Sequence, residues 1–191
     1  MILTDDDIYN WAQADNVFPF NRENVNPASL DLCLGNEYRD FLYPDDIVTV
    51  PLDGKISIYK TSSLYDWAHL KLNPSFKRMF GRNMKHVPSA ILAITEEWIR
   101  LQDDLAAEVK IKTSPTRLGL NNSLADWCDP GFEGILTLLF SCHRTLHLNV
   151  GMRICQLVIH KLHKPVTRSY KVTGHYNKQE HPGVVWNGYN I

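Results

Sequence analysis

The sequence has no excess of either charge and no long apolar run. Twenty Lys and Arg residues stand against 21 Asp and Glu residues, for a formal net charge of −1. No apolar stretch approaches the roughly 20 residues of a transmembrane helix. The opening MILTDDDIYNW carries three acids where a secretory signal would have basic residues. We therefore expect a soluble, cytoplasmic protein without nucleic acid or membrane among its partners.

The sequence has few cysteines, and they lie far apart in the chain. Cys33, Cys128, Cys142 and Cys155 contain no CxxC pair, which is typical of reduced cytosolic thiols rather than a disulfide framework. Cys142, His143, His147, Cys155, His160 and His163 are dense in the chain, but they lack the short paired spacings of a zinc clip. We therefore predict no metal site formed by the protein alone.

The pattern of apolar residues predicts a single all-β domain over residues 1–191, with a short helix at its start. Thr4 and Asp7 have the spacing of a capping box, and Ile8 and Trp11 follow at helical spacing. Leu30, Leu32 and Leu34 then alternate as in a strand with one buried face. Many short strands with few helices indicate a sandwich or a barrel.

Further along the chain, the pattern predicts more strands, a surface arm and an insertion. DDIVTVPLDG and KISIYK predict two strands around a turn at Asp53 and Gly54. From residue 89, six runs ending with VTRSYKV predict strands, and residues 174–191 predict a surface arm. Residues 60–87 form an insertion, which is either an amphipathic segment packed on the body or a basic patch for phosphate or nucleic acid.

The stretch KTSPTR, residues 112–117, gathers groups that suit phosphate oxygens. Lys112 and Arg117 are cationic donors, and Thr113 and Ser114 carry hydroxyls. A kink at Pro115 would expose backbone NH groups beside them. A solvated loop has the same composition, so the run by itself does not distinguish a phosphate site from a surface loop.

The stretch DPGFEG, residues 129–134, predicts a tight turn that leads into a strand. Pro130 restricts Asp129 to extended backbone angles and so determines where its carboxylate points. Such an Asp is either a turn cap or a fixed polar group of a site. Between the two stretches, NNSLADWC at residues 121–128 has Asn and Ser residues typical of a turn.

Several stretches together resemble the dCTP deaminase branch of the dCTP deaminase and dUTPase superfamily. They are NPASLDLCLGNEY at 26–38, KIKTSPTRLGL at 110–120 with DPGFEG after it, GMRICQLVI at 151–159, the opening MILTDDDI and the tail stretch HYNKQEHPG. The resemblance covers nearly the whole chain except residues 60–87. It implies a distorted jelly-roll or dUTPase-like β-barrel, a homotrimer with nucleotide sites where subunits meet, and Mg²⁺ carried on a pyrimidine deoxynucleoside triphosphate.

The resemblance also implies roles for individual residues. It assigns triphosphate binding to Lys112, Thr113, Ser114, Tyr176 and Gln179, catalysis to Asp129 and Arg117, and base recognition to the hairpin residues Leu124, Ala125 and Asp126. In the family, the Asp matching Asp129 contacts the deoxyribose and orients a water at the α-phosphorus. Lys112, Thr113 and His175 replace the usual Arg, Ser and Lys, and Lys112 lacks the bidentate fork of Arg.

Position 139 is the main departure from the family pattern. Cytosine deamination needs a carboxylate that moves protons, and the family places a Glu there in a TLE context. This chain reads Thr137, Leu138, Leu139, and it also lacks the HxE…PCxxC framework of the zinc deaminases. We therefore predict a hydrolase that splits pyrimidine deoxynucleoside triphosphates into monophosphate and pyrophosphate without deamination.

Three alternatives remain open. The first is a dCTP deaminase that uses a displaced acid, either Glu133 or an acid of a neighbouring subunit. The second is a nucleotide-binding homologue without turnover. The third is an enzyme for a modified pyrimidine, whose substituent the apolar Leu139 accommodates.

Overall fold

The computed structural model describes residues 1–40, 43–58, 90–122, 126–142 and 145–183, with the side chains of residues 40, 43–48 and 57 excepted. Within these ranges the strands are β1 Val17–Phe18, β2 Val25–Asn26, β3 Ser29–Asp40, β4 Tyr43–Thr49, β5 Lys55–Ile58, β6 Ala90–Arg100, β7 Leu105–Ile111, β8 Leu120–Asn122, β9 Trp127–Cys128, β10 Glu133–Cys142, β11 Leu146–Asn149 and β12 Arg153–Lys161. The α-helices are α1 Asp5–Trp11, α2 Thr113–Arg117 and α3 Tyr170–Thr173, with a π-helical turn at Ala12–Asn16 and a 3₁₀ turn at Arg22–Asn24. The predicted insertion at 60–87 and the base-recognition residues Leu124 and Ala125 lie outside the described residues.

The amino-terminal helix α1 forms where the capping box predicts it. The side chain of Asp7 accepts from both the backbone nitrogen and the hydroxyl of Thr4, at 3.2 and 2.8 Å. One face of the helix buries Ile8 and Trp11, and the Trp11 indole donates to Gln102 at 2.8 Å. The cap therefore starts the helix, and the buried face holds it on the sheet.

A curled, antiparallel sheet of ten strands forms the body of the molecule. Its central path runs β8-β10-β6-β3-β12-β7-β9, with β1, β2 and β4 pairing to the side, and β5 with β11 forms a second small sheet. Leu30, Leu32 and Leu34 are at most 1% exposed, as their alternation predicts. The prediction of an all-β fold of the distorted jelly-roll or dUTPase-like barrel type with a short amino-terminal helix is confirmed, with the sheet curled into a half-barrel, while the homotrimer stays a prediction.

The two strands predicted around the turn at Asp53 and Gly54 are formed as β4 and β5, with β4 pairing with β3 and β5 pairing with β11. One local prediction was wrong. The stretch VTRSYKV contains the short helix Tyr170–Thr173 instead of a strand, and the Ser169 side chain caps this helix by accepting from Lys171 N at 3.3 Å. Within the described ranges, no helix has the length and apolar character needed to span a membrane.

Candidate active site at the hairpin

The hairpin between α2 and β10 opens a small cavity, because its two arms pair with different strands. The first arm, β8, pairs with β10, so that Asn122 lies opposite Phe140. The second arm, β9, pairs with β7, so that Cys128 lies opposite Ala107. The cavity between them has a volume of about 120 Å³ and is lined by Val109, Asn122, Asp126, Trp127, Cys128, Phe132, Ile135, Leu136, Thr137, Leu138 and Gln179.

Asp126 supplies the one carboxylate among these lining residues. Its Oδ1 accepts from Asn122 Nδ2 at 2.6 Å, and its carbonyl accepts from Val109 N at 2.8 Å. Burial raises the pKa of Asp126, with Lys110 opposing the rise and Glu108 adding to it. The carboxyl group is therefore held in place by Asn122, with its pKa raised by burial.

The carboxy-terminal arm lies along the free edge of β10. Lys178 N donates to Glu133 O, and Ile135 N donates to Gln179 O at 3.1 Å. The Gln179 amide then reaches Thr137, whose hydroxyl donates to Oε1 at 2.9 Å. The arm thus places Gln179 in the lining of the hairpin cavity.

Asp129 is exposed in the turn after β9. The Trp127 indole donates to Asp129 Oδ1 at 3.1 Å, and Phe132 N donates to the Asp129 carbonyl at 3.0 Å. The second bond is the turn contact that the sequence predicts. The bond from the indole places the exposed Asp129 carboxylate beside Trp127, a residue that is 50% exposed and lines the cavity.

Gly131 has a backbone conformation that a side chain would disturb. Its φ is +88°, and an added Cβ would fall within overlap of Ser169 Oγ and 3.0 Å from Asp103 Oδ1. We expect Gly131→Ala to destabilise the protein by about 2 kcal/mol or more, from backbone strain together with this overlap. Gly151→Ala is the matched control, since Gly151 has a φ of +77° with nothing within 4 Å of the added Cβ. Equal losses for both variants in urea unfolding would show that the overlap contributes nothing.

The predicted phosphate stretch forms the short helix α2 rather than a kinked loop. Pro115 is buried in the first turn of the helix, where its missing NH is tolerated. Thr113, Ser114 and Arg117 are exposed. None of residues 112–117 belongs to the lining of the hairpin cavity of the same chain.

Lys112 is paired with a buried acid that the sequence reasoning missed. Asp31 is 1% exposed, and its Oδ2 forms ion pairs with Lys112 Nζ and, at 3.8 Å, with Arg153. Asn26 donates to the other oxygen, Oδ1, at 2.9 Å. The signal in the sequence is an acid between leucines in SLDLCLG, but alternation predicts that this acid faces solvent.

Tyr176 lies on the arm, away from the cavity lining. Its ring is 37% exposed, and its backbone nitrogen donates to Tyr170 Oη at 3.4 Å. Tyr170 packs against Phe132 with the ring centroids 6.1 Å apart. The two tyrosines therefore connect the arm to the turn that carries Asp129.

Leu139 lies on the face of β10 opposite the core. Leu138 and Phe140 are buried, whereas Leu139 is half-buried and pairs with Leu92 of β6. Glu133, the acid of the first alternative, pairs with Arg100 at 3.5 Å. It lies six residues before Leu139, roughly 20 Å along the strand.

The Cys and His residues give no metal centre among the residues that the structure describes, where no group of three His, Cys, Asp or Glu side chains could hold an ion. Cys128 and Cys155 are buried, and burial raises the pKa of the Cys128 thiol to about 12. These thiols are therefore core side chains in the protonated form. His143 lies outside the described residues.

Comparison with known proteins agrees with the fold and the motifs. A family model described as dCTP deaminase-like matches residues 2–162. The chain belongs to this family. A relative from Persephonella marina is 33% identical over 186 residues, with 94% of this chain and 93% of the relative covered, and is named "dCTP deaminase, dUMP-forming". A relative from Aquifex aeolicus with the same name is 34% identical over 192 residues, with 97% and 93% covered.

A solved structure shares the fold. The crystal structure of 2′-deoxycytidine 5′-triphosphate deaminase from Agrobacterium tumefaciens superposes with a TM-score of 0.59 at 19% identity. The match covers 84% of this chain and 48% of that chain. At this identity the superposition supports the architecture alone.

These relatives overturn the predicted activity. The sequence reasoning favoured a triphosphate hydrolase that does not deaminate, because Leu139 replaces a carboxylate. The curated relatives are instead named for dCTP deamination with dUMP as product. That prediction depends on the side chain at one strand position, whereas the structure places a further carboxylate, Asp126, in the lining of the hairpin cavity.

Proposed function

We propose that this protein converts dCTP to dUMP, with release of ammonia and pyrophosphate. The observation that carries the proposal is the hairpin cavity, where Asp126 lies beside the polar side chains of Thr137 and Gln179. A pyrimidine ring in this cavity would meet one carboxylate and several neutral groups, as acid–base chemistry on a neutral base requires. The names of relatives at 33% and 34% identity support the same conversion.

In this proposal the triphosphate is held by Lys112, Thr113, Ser114, Tyr176 and Gln179, and Arg117 stabilises charge that develops on the phosphates. Asp129 contacts the deoxyribose and orients the water that attacks the α-phosphorus. Mg²⁺ enters as part of the substrate, Mg-dCTP. The described residues offer no cluster of ligands for a resident ion, so we expect its ligands to be mainly phosphate oxygens.

We propose further that the site is completed by a second copy of the chain in a homotrimer. The cavity lining of one chain includes none of residues 112–117, although both regions are needed for one nucleotide. A neighbouring copy that presents its own α2 to the cavity would bring the phosphate groups to the base. Light scattering of the pure protein gives the oligomeric state directly.

A second candidate function is nucleotide binding without turnover, and Leu139 is the observation that favours it. The side chain at this position cannot carry a proton, and its neighbour across the sheet, Leu92, is apolar as well. A chain that has lost the acid on β10 would keep its phosphate and sugar contacts and so its affinity. Calorimetry with dCTP separates this candidate from an enzyme.

The two functions differ in their products. We expect pure protein with Mg-dCTP to release dUMP, ammonia and pyrophosphate in equal amounts, measured by chromatography and by separate assays of the two small products. Asp129→Asn removes the carboxylate that orients the water at the α-phosphorus and is expected to abolish pyrophosphate release, so it serves as the negative control. Binding heat with no product would establish the binder, and dCMP with pyrophosphate but no ammonia would refute the proposed deamination. Turnover restricted to 5-substituted nucleotides would establish the modified-base alternative.

A further inference from the structure

The loss of the acid at position 139 leaves a chemical gap that another side chain must fill if dCTP is deaminated. The family pattern places the proton carrier on β10, but this strand reads Thr137, Leu138 and Leu139. Glu133, at the start of β10, forms an ion pair with Arg100. The carboxylate among the lining residues of the cavity belongs to Asp126, just before β9, and Thr137 and Leu138 of β10 line the same cavity.

We propose that Asp126 is the catalytic acid and base for the cytosine ring. The proposal rests on the proposed conversion of dCTP to dUMP. Asp126 lines a cavity of about 120 Å³, which has room for about four water molecules or one small heterocycle. A base bound there would share the cavity with the Asp126 carboxyl group and with Thr137 and Gln179.

One oxygen of Asp126 is anchored by a side-chain hydrogen bond. Asn122 Nδ2 donates to Oδ1 at 2.6 Å and so orients the carboxyl group. In the proposal, the second oxygen of the carboxyl group exchanges protons with the water and with the base, as proton transfer requires.

The charges near Asp126 do not neutralise it. Lys110 is the nearby cation, but its ammonium pairs with Glu108 at 2.5 Å. Apolar and neutral lining residues provide the rest of the wall, among them Val109, Phe132 and Leu138. The carboxyl group therefore exchanges a proton more readily than one that is held in a salt bridge.

The reaction balances with water as the only co-reactant. Asp126 takes a proton from a water molecule while the water oxygen attacks C4. The electron pair of the C4–N3 double bond moves to N3. Asp126 then delivers that proton to N3. In the second half it moves the hydroxyl proton to the exocyclic amine, the C4–N4 bond breaks, ammonia leaves, and C4 becomes the carbonyl of uracil.

Asp126→Asn separates this role from binding because the conversion has two measurable parts. We expect ammonia release from dCTP to fall by roughly 100-fold or more. Pyrophosphate release from dUTP by the same variant should fall much less than ammonia release, because this reaction needs no deamination, so the ratio of the two losses separates proton transfer from base binding. Asp6→Asn, an exposed acid on α1, is the matched control and should leave both rates unchanged.

Each of the other outcomes contradicts either the role of Asp126 or the proposed function. Ammonia release at the wild-type rate by Asp126→Asn overturns the proposal, while wild-type ammonia release itself upholds the proposed function. Loss of both reactions by a variant with an unchanged unfolding midpoint assigns Asp126 to nucleotide binding and overturns its role as proton carrier. No ammonia from the wild-type protein contradicts the proposed function rather than the choice of residue.

Discussion

Asp31→Asn is expected to lower the free energy of unfolding by about 3 kcal/mol. Asp31 is 1% exposed and is the carboxylate that Lys112 and Arg153 share, so the change leaves Lys112 beside a neutral amide. Breaking a buried pair by removing one partner costs about 3–5 kcal/mol. Lys112 keeps 28% of its side chain exposed, so water compensates part of the loss and the lower end applies. Urea denaturation at pH 7 measures the change.

A double-mutant cycle tests whether the pair itself is responsible. Lys112→Met removes the charge and keeps much of the length of the side chain. We expect the double variant Asp31→Asn with Lys112→Met to lose at least about 1 kcal/mol less than the sum of the single variants. Arg153→Met is the matched control, since Arg153 is 54% exposed and 3.8 Å from Asp31, and it should change stability by less than about 1 kcal/mol. Strict additivity in the cycle would show that the ion pair does not contribute.

Local features of the sequence predicted the parts of the fold that local physics determines. The capping box of Thr4 and Asp7 and the alternation of Leu30, Leu32 and Leu34 depend on neighbours only a few residues away. Both are formed as expected. The motifs around Lys112 and Asp129 then identified the family without knowledge of strand pairing.

Contacts between distant residues could not be predicted in this way. Asp31 is buried and forms an ion pair with Lys112, which lies 81 residues further along the chain. The arm meets β10 through Gln179 and Thr137, which are 42 residues apart. Alternation assigns a face to each of these residues, but it does not say what covers that face.

The predicted activity failed for a related reason. The motif comparison located the missing carboxylate at Leu139, on one strand, and it weighed only acids on that strand or on a neighbouring subunit. The resemblance assigns Asp126 to base recognition. The place of Asp126 in the lining of the cavity depends on β8 and β9 pairing with different strands, which a short motif does not reveal.

Glu97→Gln is expected to change the pH dependence of stability. Glu97 is 4% exposed on β6, and its Oε2 accepts from Cys33 N at 2.8 Å. Burial raises the pKa of Glu97 to about 7 from an ordinary value of 4.5, although the bonds from Cys33 oppose the rise. Gln preserves an acceptor for Cys33 N and does not titrate.

The sign follows from where each state loses its proton. Below pH 4.5 the carboxyl is protonated in both states, so burial of a charge carries no penalty. Between pH 4.5 and about 7 the unfolded chain ionises first, and the native state loses stability relative to it as pH rises. Above pH 7 the penalty is complete, at about 3 kcal/mol for a rise of this size.

We therefore expect the stability of Glu97→Gln relative to the wild-type protein to rise by about 3 kcal/mol between pH 4 and pH 8. Urea unfolding at four pH values measures this difference, in which titrations common to both proteins cancel. Asp6→Asn is the control for removing one negative charge, because Asp6 is an exposed acid on α1 and is not among the groups that shift the pKa of Glu97. Parallel curves for the wild-type protein and Glu97→Gln would mean that the buried carboxyl ionises equally easily in both states, against what its burial requires.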